Sequence, residues 1–169
     1  ENLSSIATAF STFAQMPKSQ SEPLDINELL RGIVALFEKE DNVAITFMTY
    51  KEKAMVFADK NQMISVFNNL VKNAIQSAPE GRDCEITIIT LEEYGNIKTV
   101  IMDNGSGIAK ESYEKVFAPN FTTKSSGTGL GLAICKQIVE NAKGQIWFES
   151  ELNKGTSFYV NLPYYNPAV

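Results

Sequence analysis

Residues 104–128 limit the possible folds more than any other stretch. Broken by Gly105, Gly107, Pro119 and Gly127, they resist regular assignment in a chain otherwise made of short periodic elements. A long irregular segment inside a compact domain is usually a lid or a binding loop. On its N-terminal side, Asp25 is placed to cap a helix over 26–40 and Asp59 a second over 60–77, with Met63, Val66, Phe67, Leu70 and Ala74 on its apolar face. Residues 44–50 read as a strand. The β-branched runs 85–91 and 98–102, separated by Tyr94-Gly95-Asn96, read as a hairpin. Beyond the irregular segment come a helix over 129–142, ended by Lys143-Gly144, and strands 145–150 and 156–162 joined by Asn153-Lys154-Gly155. Mixed helices and strands with an antiparallel finish place the chain in the α/β or α+β class, in two layers.

The first residues stand apart. Leu3, Ile6, Ala7, Phe10 and Phe13 recur at helical spacing and stop at Met16-Pro17, after which 17–23 reads as a polar linker. A helix that short before a linker has little of its own to pack on. It reads as the end of a longer helix with partners upstream or in another chain. The chain opens at Glu1 rather than Met, shows no secretory leader, and reads as excised from something longer. The expected organisation is 1–16 helix end, 17–23 linker, 24–163 one domain and 164–169 tail.

Composition removes several functions. With 15 basic and 20 acidic residues the net charge is −5, which argues against a nucleic-acid binder. The apolar run 86–91 is far shorter than the roughly 20 residues a bilayer requires. Cys84 and Cys135 read as reduced, buried thiols of a cytosolic protein. The absence of any histidine excludes His-based triads, His-ligated metals and imidazole acid–base chemistry within this chain.

Four motifs could carry chemistry. Asn69-Leu70-Val71-Lys72-Asn73 puts two amides one helical turn apart on one face, and their oxygens suit magnesium already held by phosphates; the alternative is a pair of solvated amides. Asp103-Asn104-Gly105-Ser106-Gly107 follows a strand, so its carboxylate can accept from an exocyclic amine while the glycines admit a planar base; the alternative is an ordinary turn. Gly127-Thr128-Gly129-Leu130-Gly131-Leu132 leads into a helix and can offer backbone N–H groups to an anion, or be merely structural. It is neither a P-loop nor a dinucleotide fingerprint. In Val116–Lys124, two phenylalanines can anchor the loop and Lys124 brings positive charge just before the glycines; the alternative is a minor hydrophobic cluster.

In this order and spacing the four motifs resemble the N, G1, F and G2 boxes of sensor histidine kinases, within the gyrase, chaperone, histidine-kinase and mismatch-repair superfamily. The likeness spans 24–163, and 153–158 resembles the final glycine-containing box. The wording of 73–77 and 121–129 is similar to nitrogen-regulation-type kinases, although Gln76 and Ser77 stand where many kinases carry lysine and tyrosine. Residues 3–17 resemble the end of a second dimerisation helix.

The resemblance implies a Bergerat-type two-layer α/β sandwich, with a mixed, largely antiparallel sheet of about five strands on about three helices. An ATP lid would lie over 104–128. It implies Asn73 as magnesium ligand with Asn69 in support, Asp103 reading the adenine amine, and Gly107 beneath the base. Lys124 and the amides of Gly127, Thr128, Gly129 and Gly131 would hold phosphates. Further nucleotide contacts would come from Gly105, Ile108, Phe117, Thr123, Leu130 and Thr156. The implied reaction is γ-phosphoryl transfer from Mg-ATP to a histidine on the dimerisation hairpin of a homodimeric parent, then to a response-regulator aspartate. An ATP-driven switch or ATPase, or a serine kinase, of the same superfamily is the alternative.

Overall fold

The computed structural model describes residues 18–121 and 129–166; the expected helix within 1–17 lies outside them. Along the chain run β1 (Ser21–Asp25), α1 (Ile26–Phe37), β2 (Val43–Thr49), β3 (Met55–Asp59), α2 (Lys60–Ser77), β4 (Cys84–Glu93), β5 (Asn96–Asp103), a 3₁₀ helix (Lys110–Lys115), α3 (Gly131–Asn141), β6 (Gln145–Glu151) and β7 (Gly155–Pro163). Both expected aspartate caps are in place. Asp25 Oδ1 accepts from the N–H groups of Asn27 and Ala54, each at 3.0 Å, so the cap of α1 also fixes the approach to β3. Asp59 accepts from Gln62 N–H at 3.0 Å and Gln20 N–H at 2.7 Å, bonds that hold its carboxyl below the usual value.

The main sheet has five strands in the order β2-β4-β5-β7-β6, antiparallel except for the β2–β4 pair. This is the mixed, largely antiparallel sheet of about five strands that the family resemblance implied. The β4–β5 hairpin turns on Tyr94 (φ 50°) and Gly95 (φ 75°), the two positive φ values a tight hairpin with right-handed twist requires. Alternation aims Cys84, Ile86, Ile88 and Thr90 of β4, and Thr156, Phe158, Val160 and Leu162 of β7, into the core. Above that face lies α2, burying Met63, Val66, Phe67, Leu70, Val71 and Ala74 at spacings of three and four. Its other flank, carrying Asn69, Asn73 and Ser77, stays half-buried.

Three expectations at the borders are corrected. Part of the expected linker 17–23 is strand: β1 begins at Ser21 and pairs antiparallel with β3, a strand the sequence pattern did not reveal. Pro23 is tolerated because, among the described residues, β1 has no second neighbour that would need its missing N–H. Residues 164–166 do not all trail free, since Tyr164 N–H donates to Gly95 O at 3.0 Å and Tyr165 N–H to Met55 O at 2.8 Å. The first helix ends at Phe37 rather than residue 40, ahead of a turn in which Asn42 has φ 61°.

Candidate active site

A cavity of about 630 Å³ opens between α2, the end of β5, the β6–β7 turn and the start of α3. One end is built around Asp103, the last residue of β5. Its Oδ1 accepts from Gly105 N–H at 2.8 Å, and from Thr156 N–H and Ser77 Oγ at 3.2 Å each. These donors come from the following loop, β7 and α2, so three elements orient one carboxylate. A Cβ on Gly105 would fall 1.9 Å from Ser77 Oγ, which leaves room for hydrogen alone. Gly107 needs glycine twice over: its φ is +71°, and a Cβ would meet the Glu151 carbonyl oxygen at 2.2 Å.

The β6–β7 turn is laced onto this loop. Asn153 N–H donates to Ser106 O at 2.7 Å and Ile108 N–H to Ser150 Oγ at 2.8 Å, while Ser150 Oγ lies 2.8 Å from Thr156 Oγ1. Tyr113 of the 3₁₀ helix donates its hydroxyl to the Ser150 carbonyl and sets its ring edge-on to Phe148 at 5.0 Å. This end of the cavity is therefore preformed, and a flat apolar group could lie against Ile108 and Leu152 with a polar edge toward Asp103.

The other end is amide-rich. Asn73 Nδ2 donates to Asn69 Oδ1 at 3.1 Å, so the two side chains form one unit across a helical turn. Gly131 opens α3 against them, since a Cβ there would lie 2.3 Å from Asn69 Nδ2. Whereas α1 and α2 are capped by aspartates, the N-cap of α3, Leu130, makes no side-chain bond to the first turn. Among the described residues no side chain caps it, so the helix start at the cavity wall can offer amide donors to an anion. Among the described residues, no cluster of three or more His, Cys, Asp or Glu could hold a metal. A divalent cation here would rest on the asparagine oxygens together with the anion it accompanies, a donor set that suits magnesium.

Of the residues singled out from sequence, Asn69, Asn73, Asp103, Gly107, Ile108, Gly129, Gly131 and Thr156 line the cavity. Gly105 is instead buried behind Asp103, and Leu130 is a buried helix cap. Phe117 is also off the wall. Its ring packs 5.9 Å from Phe148 and 6.4 Å from Phe158 with Lys136 Nζ over it, anchoring the loop as its aromatic character foretold but not facing the cavity. Thr123, Lys124, Gly127 and Thr128 lie outside the described residues. Sequence reasoning missed Ser77, Leu152 and Asn153 on the wall. In sequence Ser77 is notable only for standing where many kinases carry tyrosine, and Asn153 only as part of the turn before Thr156, while Leu152 has no signal.

An acceptor held at one end, and paired amides beside an uncapped helix start at the other, describe a nucleotide site. Residues 58–166 match the histidine kinase-, DNA gyrase B-, and HSP90-like ATPase family. The chain belongs to this family. It is 36% identical to sporulation kinase A of Bacillus subtilis (strain 168) over 168 residues, 95% of this chain and 27% of that protein. To the sensor histidine kinase ZraS of Escherichia coli (strain K12) it is 33% identical over 145 residues, 84% of this chain and 31% of that protein. It therefore spans about a quarter to a third of the length of these relatives. The catalytic domain of histidine kinase ThkA superposes with a TM-score of 0.77 at 36% identity, covering 86% of this chain and 96% of that one. ThkA in complex with the response regulator protein TrrA superposes at 0.80 and 30% identity, covering 96% of this chain and 47% of that one. This histidine-kinase ATP-binding domain thus carries the family's nucleotide fold. No helix among the described residues is long and apolar enough to cross a membrane.

Proposed function

We propose that the cavity binds Mg-ATP and that the domain transfers its γ-phosphoryl group to a histidine outside this chain, for onward transfer to a response-regulator aspartate. The observation that carries this reading is the meeting, in one cavity, of a triply bonded carboxylate and an asparagine pair beside an uncapped helix start. Asp103 accepts from the adenine exocyclic amine, above Gly107. Asn73 is the magnesium ligand and Asn69 steadies it. The amides of 129–131 hold phosphates, joined on sequence grounds by Lys124, Gly127 and Thr128. Magnesium, when bound, neutralises charge on the β- and γ-phosphates, and the chain supplies positioning and electrostatics.

Asn69 also favours kinase over ATPase. The superfamily's ATPases place a water-activating glutamate at that helix position. An amide can orient a water but cannot take its proton, and general-base help is worth about 10²–10⁴-fold. An incoming imidazole is nucleophilic without such help, whereas a serine hydroxyl is not. Residues 1–16 then belong to a dimerisation helix of a homodimeric parent whose catalytic part works in the cytoplasm. The nitrogen-regulation-type subclass rests on the wording of 73–77 and 121–129. The test is labelled ATP with this chain and a separately supplied dimerisation hairpin. Acid-labile phosphate on the hairpin, and none on the histidine-free chain alone, is expected; label on this chain alone would refute the reading.

A further inference from the structure

We infer that Ser77, the last residue of α2, is a positioning residue for base recognition, setting the rotation of the Asp103 carboxylate. The inference rests on the adenine reading proposed above. Ser77 Oγ lies 2.7 Å from the Ala74 carbonyl oxygen and 3.2 Å from Asp103 Oδ1. A hydroxyl has one proton, so the two acceptors share it in a three-centre bond, and the shorter leg to Ala74 fixes the rotamer. Oγ is therefore held at the end of a rigid helix, converging with the two backbone donors on the same carboxylate oxygen.

Those backbone donors, Gly105 N–H and Thr156 N–H, belong to the loop and strand that Asp103 itself joins. The donor from α2 orients the carboxylate from a third element and ties the base end of the cavity to the helix bearing Asn69 and Asn73. Space is matched to this arrangement. A Cβ on Gly105 would be 1.9 Å from Ser77 Oγ and 2.7 Å from Ser77 Cβ, so loop and serine are in full contact and no water fits between them. Ser77→Ala removes one hydroxyl at the end of the helix and adds no bulk, and the Ala74 carbonyl keeps the Cys84 thiol at 3.9 Å, so the fold should be kept. The carboxylate loses the donor that α2 supplies. A ligand that bonds to the carboxylate feels this, and one that does not is indifferent.

The experiment is calorimetric titration of the full chain with ATP and with purine riboside triphosphate, which lacks the 6-amino group. For Ser77→Ala we expect ATP affinity to fall about fivefold and that of the amine-free analogue to stay constant, so the ratio between the two shrinks about fivefold. Ser77→Cys, nearly the same size but a weak donor, should behave like alanine. Equal weakening of both nucleotides, an unchanged ratio, or a cysteine variant equal to wild type would each overturn the role of Ser77 while leaving the ATP site standing. An unmodified chain that binds the two nucleotides equally would instead remove the adenine reading, and this inference with it.

Discussion

Gly131→Ala should separate stability from metal-dependent binding. Gly131 is the first residue of α3 and does not have positive φ, so its backbone accepts alanine. The new methyl would lie 2.3 Å from Asn69 Nδ2, 2.9 Å from its Oδ1 and 3.0 Å from its Cγ. Contact distances near 3.5 Å force that amide to swing by about an ångström. The obstacle is the end of a rotatable side chain, so the cost is an off-rotamer angle of about 0.5–1.5 kcal/mol. Losing the 3.1 Å bond from Asn73 adds about 0.5–1.5 kcal/mol. Alanine returns up to about 1 kcal/mol of helix propensity. The net loss should stay under about 2 kcal/mol, and denaturant melts should still show a cooperative fold. Mg-ATP affinity should fall about tenfold, the equivalent of 1.4 kcal/mol, because the displaced amide no longer backs the metal ligand. Calorimetry with magnesium and with chelator distinguishes the causes: the loss should be confined to the magnesium arm. A folded variant with undiminished Mg-ATP affinity, or with equal losses in both arms, would refute the reasoning.

Asp103→Asn should weaken ATP at least tenfold in the same titration and erode its preference over GTP, because one end of the amide can only donate. Phosphate release under saturating Mg-ATP should be negligible, for want of a base at Asn69; turnover near 1 s⁻¹, abolished by Asn73→Ala, would turn the reading toward an ATPase. The lowered carboxyl of Asp59 stabilises the fold above its ordinary value of 3.8, and that contribution is lost as pH falls through the lower folded value. Asp59→Asn should therefore be less stable at pH 7, with the gap closing in melts below pH 4.

What sequence could reveal was what neighbours in sequence decide. The caps Asp25 and Asp59, the apolar face of α2 and the turn at Tyr94-Gly95 are local, and each stands where its pattern placed it. β3 is five residues with a single alternation, and β1 contains a proline; neither is a strand until the other lies beside it. The parallel β2–β4 pair is likewise non-local. Asn69, Asn73 and Asp103 were legible because their spacing met a family pattern. Phe117 was misplaced because an aromatic residue in a loop reads alike whether it faces a ligand or anchors on Phe148. Leu152 was invisible, since only the backbone crossing at Gly107 brings the β6–β7 turn to the cavity.

The two ends of the cavity are built on opposite principles, and the proposed chemistry explains why. Around Asp103 the parts are backbone and short side chains with no slack: Gly105, Gly107 and Gly155 each sit where a Cβ would come within 2.2 Å of another atom. A base is the same before and after phosphoryl transfer, so rigidity there costs nothing during the reaction and improves recognition. At the amide end the charge, length and position of the phosphate chain all change when the γ-phosphoryl group leaves. The parts there are two rotatable amides and a helix start without a side-chain cap. A missing cap withholds about 1 kcal/mol from the helix. On the proposed reading, phosphate oxygens at those amides would restore it, so α3 would be most stable when the nucleotide is present. Stability withheld at the phosphate end and spent in advance at the base end lets one cavity hold the nucleotide firmly by adenine while its phosphates remain free to react.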